Sequence, residues 1–326
     1  MAGWSITRPR LFDVLSSSKR ILLAGCGGGY DVLSSLPLYA ALKEQGKFVT
    51  FASLSFTSLS SIHPPKVCED CYEVKSSFKT KEDGRYFPEL YLAQWLSERE
   101  KREVSVYAFD REIGAKTLSS AYSKIVSDNK IDAVVLVDGG TDSLMFGSEE
   151  RMGTPAEDHC SMVAVSTLTS VPVKILACLG FGVDSFHGVS HGLFLENVAT
   201  IEQKGGFHGC FSVSRHSKEG QFYIDGYHAV SSKMQKSIVC SSITDAMAGH
   251  FGNHHSTSRT GSSKLFINSL MTLYWSFDLE PIIDEIKYAK ELSQTKSMTD
   301  VAVVIAKNNK TVKEAGLIRV SIPLPM

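Results

Sequence analysis

The stretch Arg20-Ile21-Leu22-Leu23-Ala24-Gly25-Cys26-Gly27-Gly28-Gly29-Tyr30-Asp31 decides the reading of the fold. Residues 20–24 form a run short enough for a strand and apolar enough to be covered on both faces, as strands of a parallel sheet are. Glycines follow, and then an acid that opens a helical pattern. This is the strand, turn and helix succession of a crossover unit, whose carboxyl edge is where such sheets bind ligands. Glycine there lets backbone N–H groups approach an anion, and a following helix N-terminus adds partial positive charge. Gly25, Gly27, Gly28 and Gly29 are therefore expected to bind the anionic part of a ligand. Asp31 either caps the helix or accepts hydroxyl or amine donors from the same ligand.

Outward from this stretch the alternation continues. Strands are expected at 48–54, 104–109, 133–137 and 173–179, with helices at 31–45, 88–101, 115–128 and 155–168 between them. Beyond Gly180 the periodicity loosens. Helices are expected near 193–203, 242–249, 281–293 and 298–307, a helix or an initial strand over 220–236, and a terminal strand over 316–323 at the sheet edge. The fold class is α/β: one domain over 1–326, with a doubly wound, mostly parallel, Rossmann-like sheet and glycine-rich turns at its strand ends. The irregular stretches 57–87 and 248–263 are candidate lids.

Composition narrows the partners. Lys plus Arg number 34 against 35 Asp plus Glu, with no basic cluster, which disfavours a nucleic-acid partner and points to a small-molecule ligand. No run of about 18 apolar residues is present, so no membrane partner is expected. Seven scattered cysteines do not suit a disulfide framework in a chain of this size, and a reducing cytoplasmic setting fits them. Composition neither requires nor excludes a homo-oligomer.

Two further strand ends carry chemistry. The first reads Asp138-Gly139-Gly140-Thr141-Asp142, where glycines remove side chains and the two carboxylates can converge. Asp138 and Asp142 are expected to hold a divalent cation such as Mg²⁺, or to act as a catalytic acid and base pair. Thr154, Pro155 and Glu157 read as a capping box, which leaves Asp158 an ordinary first-turn acid. The second ends at Gly182 and Asp184, a ligand contact, followed by His187, His191 and Glu196; His191 and Glu196 are expected to complete the catalytic set. Cys68 and Cys71 have half the spacing of a zinc knuckle, Cys26 in the glycine turn is either a low-pKa nucleophile or a small buried residue, and His250, His254 and His255 lie in a polar run.

The Gly25 to Asp31 turn with Ser34-Ser35-Leu36-Pro37-Leu38-Tyr39 after it, and Val137-Asp138-Gly139-Gly140-Thr141-Asp142-Ser143-Leu144-Met145-Phe146-Gly147, resemble an uncharacterised domain-of-unknown-function family first grouped from archaeal proteins. The resemblance supplies no activity. The residues themselves imply an enzyme acting on a nucleotide, nucleoside or phosphorylated sugar by hydrolysis or group transfer. The dinucleotide fingerprint is broken at Tyr30, and no ribose-binding acid ends the second strand, which weakens the alternative of a nucleotide-dependent oxidoreductase. The other alternative is a non-catalytic metabolite sensor or scaffold.

Overall fold

The computed structural model describes residues 5–80 and 84–320. Among the described residues nine strands form one sheet: β1 (Arg20–Gly28), β2 (Phe48–Leu54), β3 (Lys66–Cys68), β4 (Cys71–Lys75), β5 (Ser105–Phe109), β6 (Ala133–Asp138), β7 (Val173–Leu179), β8 (Phe207–Ser212) and β9 (Leu273–Asp278). Their spatial order is β3-β4-β5-β2-β1-β6-β7-β9-β8. The five central strands, β5, β2, β1, β6 and β7, are mutually parallel. The outer strands β4 and β9 run antiparallel to them.

Residue alternation along β1 explains the layering. Leu22, Ala24 and Cys26 face one apolar layer, while Ile21 and Leu23 face another. The helices Ala115–Asn129 and Ala156–Ser166 cover the first layer, through Leu118, Tyr122, Met162 and Val165. Helices Leu36–Glu44, Pro88–Glu100 and Lys218–Ser231 cover the second, through Leu42, Leu96 and Tyr223. With both faces covered, the central strands can be apolar throughout, and all six residues of β6 are buried.

One consequence positions the site. From β1 the chain moves outward through β2 to β5 and then returns to β6 on the other side of β1, so successive crossovers diverge between β1 and β6. At such a reversal the loops after the two strands separate and leave a crevice at their carboxyl ends.

Several expectations are corrected. The glycine-rich stretch is not a turn from Gly25 onward: β1 continues to Gly28, with a register irregularity against β2 between Ala24 and Gly28. The 31–45 helix is two helices, Asp31–Ser34 and Leu36–Glu44. The stretch 57–87 contains the β3–β4 hairpin, which extends the sheet beyond β5. The 220–236 alternatives resolve to helix. Over 316–320 no edge strand forms, only an isolated bridge between Arg319 and Glu149, and the rest of that expected strand lies outside the described residues. The edge is instead built by β9 and β8. Among the described residues no helix is long and apolar enough to cross a membrane.

Candidate functional site

The crevice between the ends of β1 and β6 opens into a cavity of about 460 Å³. Six carboxylates line it: Asp31, Asp138, Asp142, Glu157, Asp158 and Asp184. Each comes from the carboxyl side of the sheet. Asp31 opens the helix after β1, Asp138 ends β6, Asp142 begins the 3₁₀ turn Asp142–Leu144, Asp158 lies in the first turn of Ala156–Ser166, and Asp184 follows β7. Around the rim stand Phe56, Tyr86, His187 and Arg259.

The innermost group is tight. Asp31, Asp138 and Asp158 each bring a carboxylate oxygen within 4.8 Å of the other two. Asp138 Oδ2 accepts from Ser143 Oγ at 2.5 Å, and Asp31 Oδ2 accepts from the Gly27 N–H at 3.0 Å. Asp158 is only 5% exposed, and its Oδ1 has no hydrogen-bond partner among the described residues. Further out, Asp142 accepts from the N–H and hydroxyl of Thr154 at 2.8 and 3.3 Å, and Asp184 accepts from the Thr141 N–H at 2.6 Å.

Burial and mutual repulsion act in one direction here. Burial, and then the nearby Asp142, push the Asp138 carboxyl up to about 8. Burial followed by Asp138 and Asp142 raises Asp31 and Asp158 well above the usual range, and burial followed by Asp142 and Asp138 does the same to Asp184. Burial also raises Asp142 and Glu157. Without a counter-cation Asp138 keeps its proton near neutral pH, and burial biases its neighbours the same way. With one, the cluster can ionise.

The glycines serve the acids. A Cβ on Gly27 would stand 2.6 Å from Asp31 Oδ2, one on Gly139 2.7 Å from Asp31 Oδ1, and one on Gly140 2.5 Å from Asp184 Oδ2. Bare backbone thus lets carboxylates pack against strand ends where any side chain would exclude them. The N–H groups expected to cradle an anion are partly used already, Gly27 toward Asp31 and Gly29 toward the Leu54 carbonyl at 2.9 Å. Gly28 lies under the Phe56 ring, and Gly25 packs against the start of the Asp31 helix.

Of the residues expected from sequence, the cavity brings together Gly27, Gly28, Asp31, Asp138, Gly139, Asp142 and Asp184. His191 and Glu196 are not among its lining. His191 packs on the Phe181 ring at 4.8 Å, where burial lowers its pKa, and Glu196 is a surface group paired with Arg319 at 3.2 Å. His187, four residues before His191, lines the cavity instead. The capping box does not form: the Thr154 hydroxyl turns to Asp142, no side chain caps the Ala156–Ser166 helix, and Glu157 joins the cavity. The two adjacent acids after Pro155 were the available signal for Glu157 and Asp158. Cys26 is fully buried, and burial and then Asp158 push its thiol well up, which favours the small buried residue over the thiolate. Cys68 and Cys71 face each other across the β3–β4 turn, and no metal-ligating group among the described residues includes them. Both candidate lids reach the rim, 57–87 through Tyr86 and 248–263 through Arg259.

No curated protein and no solved structure matches the chain. One family matches residues 66–314, a span that takes in Asp138, Asp142, Asp158 and Asp184 but begins after the Gly25 to Asp31 stretch. With more than half of its length matched, the chain belongs to the family described as Protein of unknown function (DUF1152).

Proposed function

We propose that Asp31, Asp138 and Asp158 hold a divalent cation, and that the protein uses it to hydrolyse or transfer a group on a nucleotide, nucleoside or phosphorylated sugar. The observation that carries this reading is the Asp158 oxygen, without a hydrogen-bond partner among the described residues, inside a triangle of carboxylates of which two are buried and Asp31 is half-buried. Buried like charges this close either keep protons or share a cation. An all-oxygen donor set suits a hard ion, Mg²⁺ or Mn²⁺.

A cation there would also reverse the local field. A phosphate that six carboxylates would repel can then approach the metal, with Arg259 at the rim as a second positive group. Phe56 and Tyr86, whose rings lie 6.5 Å apart and nearly parallel, offer an apolar face to a base or sugar. Asp142 is committed to Thr154 and Asp184 to Thr141, which leaves Glu157 as the carboxylate best placed to take a proton from an attacking water or hydroxyl. The reversal of strand order at β1 and β6 supports a Rossmann-like ancestry for the crevice. Free thiols throughout the chain fit a reducing, cytoplasmic setting.

A nucleotide-dependent oxidoreductase fits less well. The Gly27 N–H that a pyrophosphate would use is donated to Asp31, and around the end of β2 buried Ser53 and Ser55 stand in place of a ribose-binding acid. A non-catalytic sensor would share the contacts and form no product.

The test is thermal denaturation with Mg²⁺ or Mn²⁺, followed by product assays over nucleotides, nucleosides and sugar phosphates. Mn²⁺ should stabilise the wild type and leave Asp158→Asn unmoved, while Glu157→Gln should keep the cation effect and lose turnover by about 10² or more. Absence of any divalent-cation stabilisation in the wild type would overturn the reading.

A further inference from the structure

We propose a second metal site, for Zn²⁺ or a similar borderline transition-metal ion, formed by Asp245, His250 and His254. It is independent of the acidic cavity and of the function proposed for it. One carboxylate oxygen and two imidazole nitrogens lie within 4.8 Å of one another, with His254 Nε2 3.7 Å from Asp245 Oδ1. The two imidazole rings are stacked, 6° apart in plane and 3.7 Å between centroids, which brings their nitrogens together, and the exposed His250 ring must rotate out of the stack for both lone pairs to meet at one ion. Zinc bonds of roughly 2.0–2.1 Å in a tetrahedron place ligand atoms roughly 3.4 Å apart. The trio therefore needs a contraction of about an ångström together with that rotation of His250 to close on an ion.

The backbone holds these ligands in place before any ion binds. Asp245 sits in the last turn of helix Ile238–Met247, and its carbonyl accepts from the His250 N–H at 3.0 Å. Gly249, at φ +87°, reverses the chain after the helix. Gly252 and Ile267 then exchange two hydrogen bonds, at 2.8 and 2.9 Å, and the His254 N–H donates to the Gly252 carbonyl. His255 is occupied elsewhere, by Thr260 at 2.9 Å and Asn253 at 3.1 Å, so it is not a ligand. His250 is exposed, which leaves the fourth position to water.

The donor set separates this site from the acidic one. Two imidazoles and a carboxylate favour zinc, cobalt or nickel, whereas Mg²⁺ prefers oxygen alone. The site also has a structural consequence. The loop it anchors leads through the His255–Thr260 contact to Arg259, which donates to the Lys236 carbonyl at 2.9 Å and borders the acidic cavity. A bound ion would tie that loop to the Ile238–Met247 helix and stiffen the approach to Arg259.

The experiment is zinc titration of the full chain in excess Mg²⁺, read by calorimetry and metal analysis, with Co²⁺ as a spectroscopic substitute. One Zn²⁺ per chain should bind, and Co²⁺ should give the visible bands of a four-coordinate nitrogen and oxygen site. His250→Ala with His254→Ala should weaken Zn²⁺ binding at least about 100-fold, whereas His255→Ala should retain it. Melting in chelator should match the wild type for these variants, which shows that the fold is intact. Zinc binding that survives in the double variant, or a wild type that retains no zinc in excess Mg²⁺, overturns the proposal.

Discussion

The N–H of Gly27 donates to Asp31 Oδ2 at 3.0 Å, across four residues in which β1 ends and a helix begins. The strand thereby holds a carboxylate over its own end, 2.6 Å from where a Gly27 side chain would start and with Asp158 Oδ1 only 3.1 Å from the same point. Gly27→Ala should push both acids away. We expect a folded protein destabilised by about 1–3 kcal/mol, as for other overpacked sites, whose melting temperature no longer responds to Mn²⁺. Calorimetric melts with and without Mn²⁺ check this, and an undiminished Mn²⁺ response would show that the glycine does not serve the acids.

Asp158→Asn separates stability from function. The wild-type oxygen is buried, lacks a hydrogen-bond partner and faces Asp31 and Asp138, so a neutral amide relieves repulsion at nearly the same shape. The metal-free variant should be more stable than the wild type by about 1 kcal/mol at pH 8, and it should gain nothing from Mg²⁺. Chemical denaturation at fixed pH measures the difference, and a less stable variant would indicate that Asp158 has a favourable partner in the fold.

The pH dependence follows from the same acids. Asp138 is raised to about 8 in the folded protein against an ordinary value near 4 when unfolded. Protonation therefore favours the native state, and this stability is fully present below about pH 4 and is lost as pH rises toward 8. Relative to Asp138→Asn, the metal-free wild type should lose stability over that window. Saturating Mn²⁺ should flatten the difference by favouring the ionised form. Parallel melts at several pH values decide it, and a wild type that gains on the variant with rising pH would contradict the assignment.

The sheet was legible where strands are buried on both faces. β2 and β7 span the residues their apolar runs predict, and both are continuously buried over their carboxyl-terminal parts. The β3–β4 hairpin and β8 were not legible: β3 and β4 are short, β8 is largely half-exposed or exposed, and β4 and β8 join the sheet through β5 and β9, which are distant in sequence. The segment 316–320 misled for the opposite reason, since an apolar sequence that would suit a strand finds only one bridge, through Arg319. At the site, Asp31, Asp138, Asp142 and Asp184 could be read from strand ends. Asp158 showed only as one of two adjacent first-turn acids, because it is the packing of helix Ala156–Ser166 against β1 that turns it inward.

Arg319 offers a test of how the far side of the site is braced. Its guanidinium reaches Glu149 Oε1 at 2.6 Å, and the Glu149 side chain is fully buried. Glu149 accepts the N–H groups of Phe146, Gly147 and Ser148, the segment that follows the Asp142–Leu144 turn. Asn197 joins Glu149 to the Leu144 carbonyl, at 2.9 and 2.7 Å. Burial opposes the Glu149 charge, but the Phe146 amide, Asn197 and Arg319 outweigh it and hold the pKa below its usual value. Such a group contributes stability above its unfolded pKa and loses it as pH falls through the folded one. Arg319→Ala strands the charge and should cost about 2–4 kcal/mol at pH 7, less than the 3–5 kcal/mol of a wholly buried pair because Arg319 is partly exposed. The deficit should shrink as pH falls below about 4, where Glu149 is protonated in the variant. Glu149→Gln in the Arg319→Ala background should recover part of the loss, because the amide keeps the shape and removes the stranded charge. Equal destabilisation at pH 3 and pH 7, or a double variant no better than Arg319→Ala, would mean that Arg319 acts by packing and not by charge.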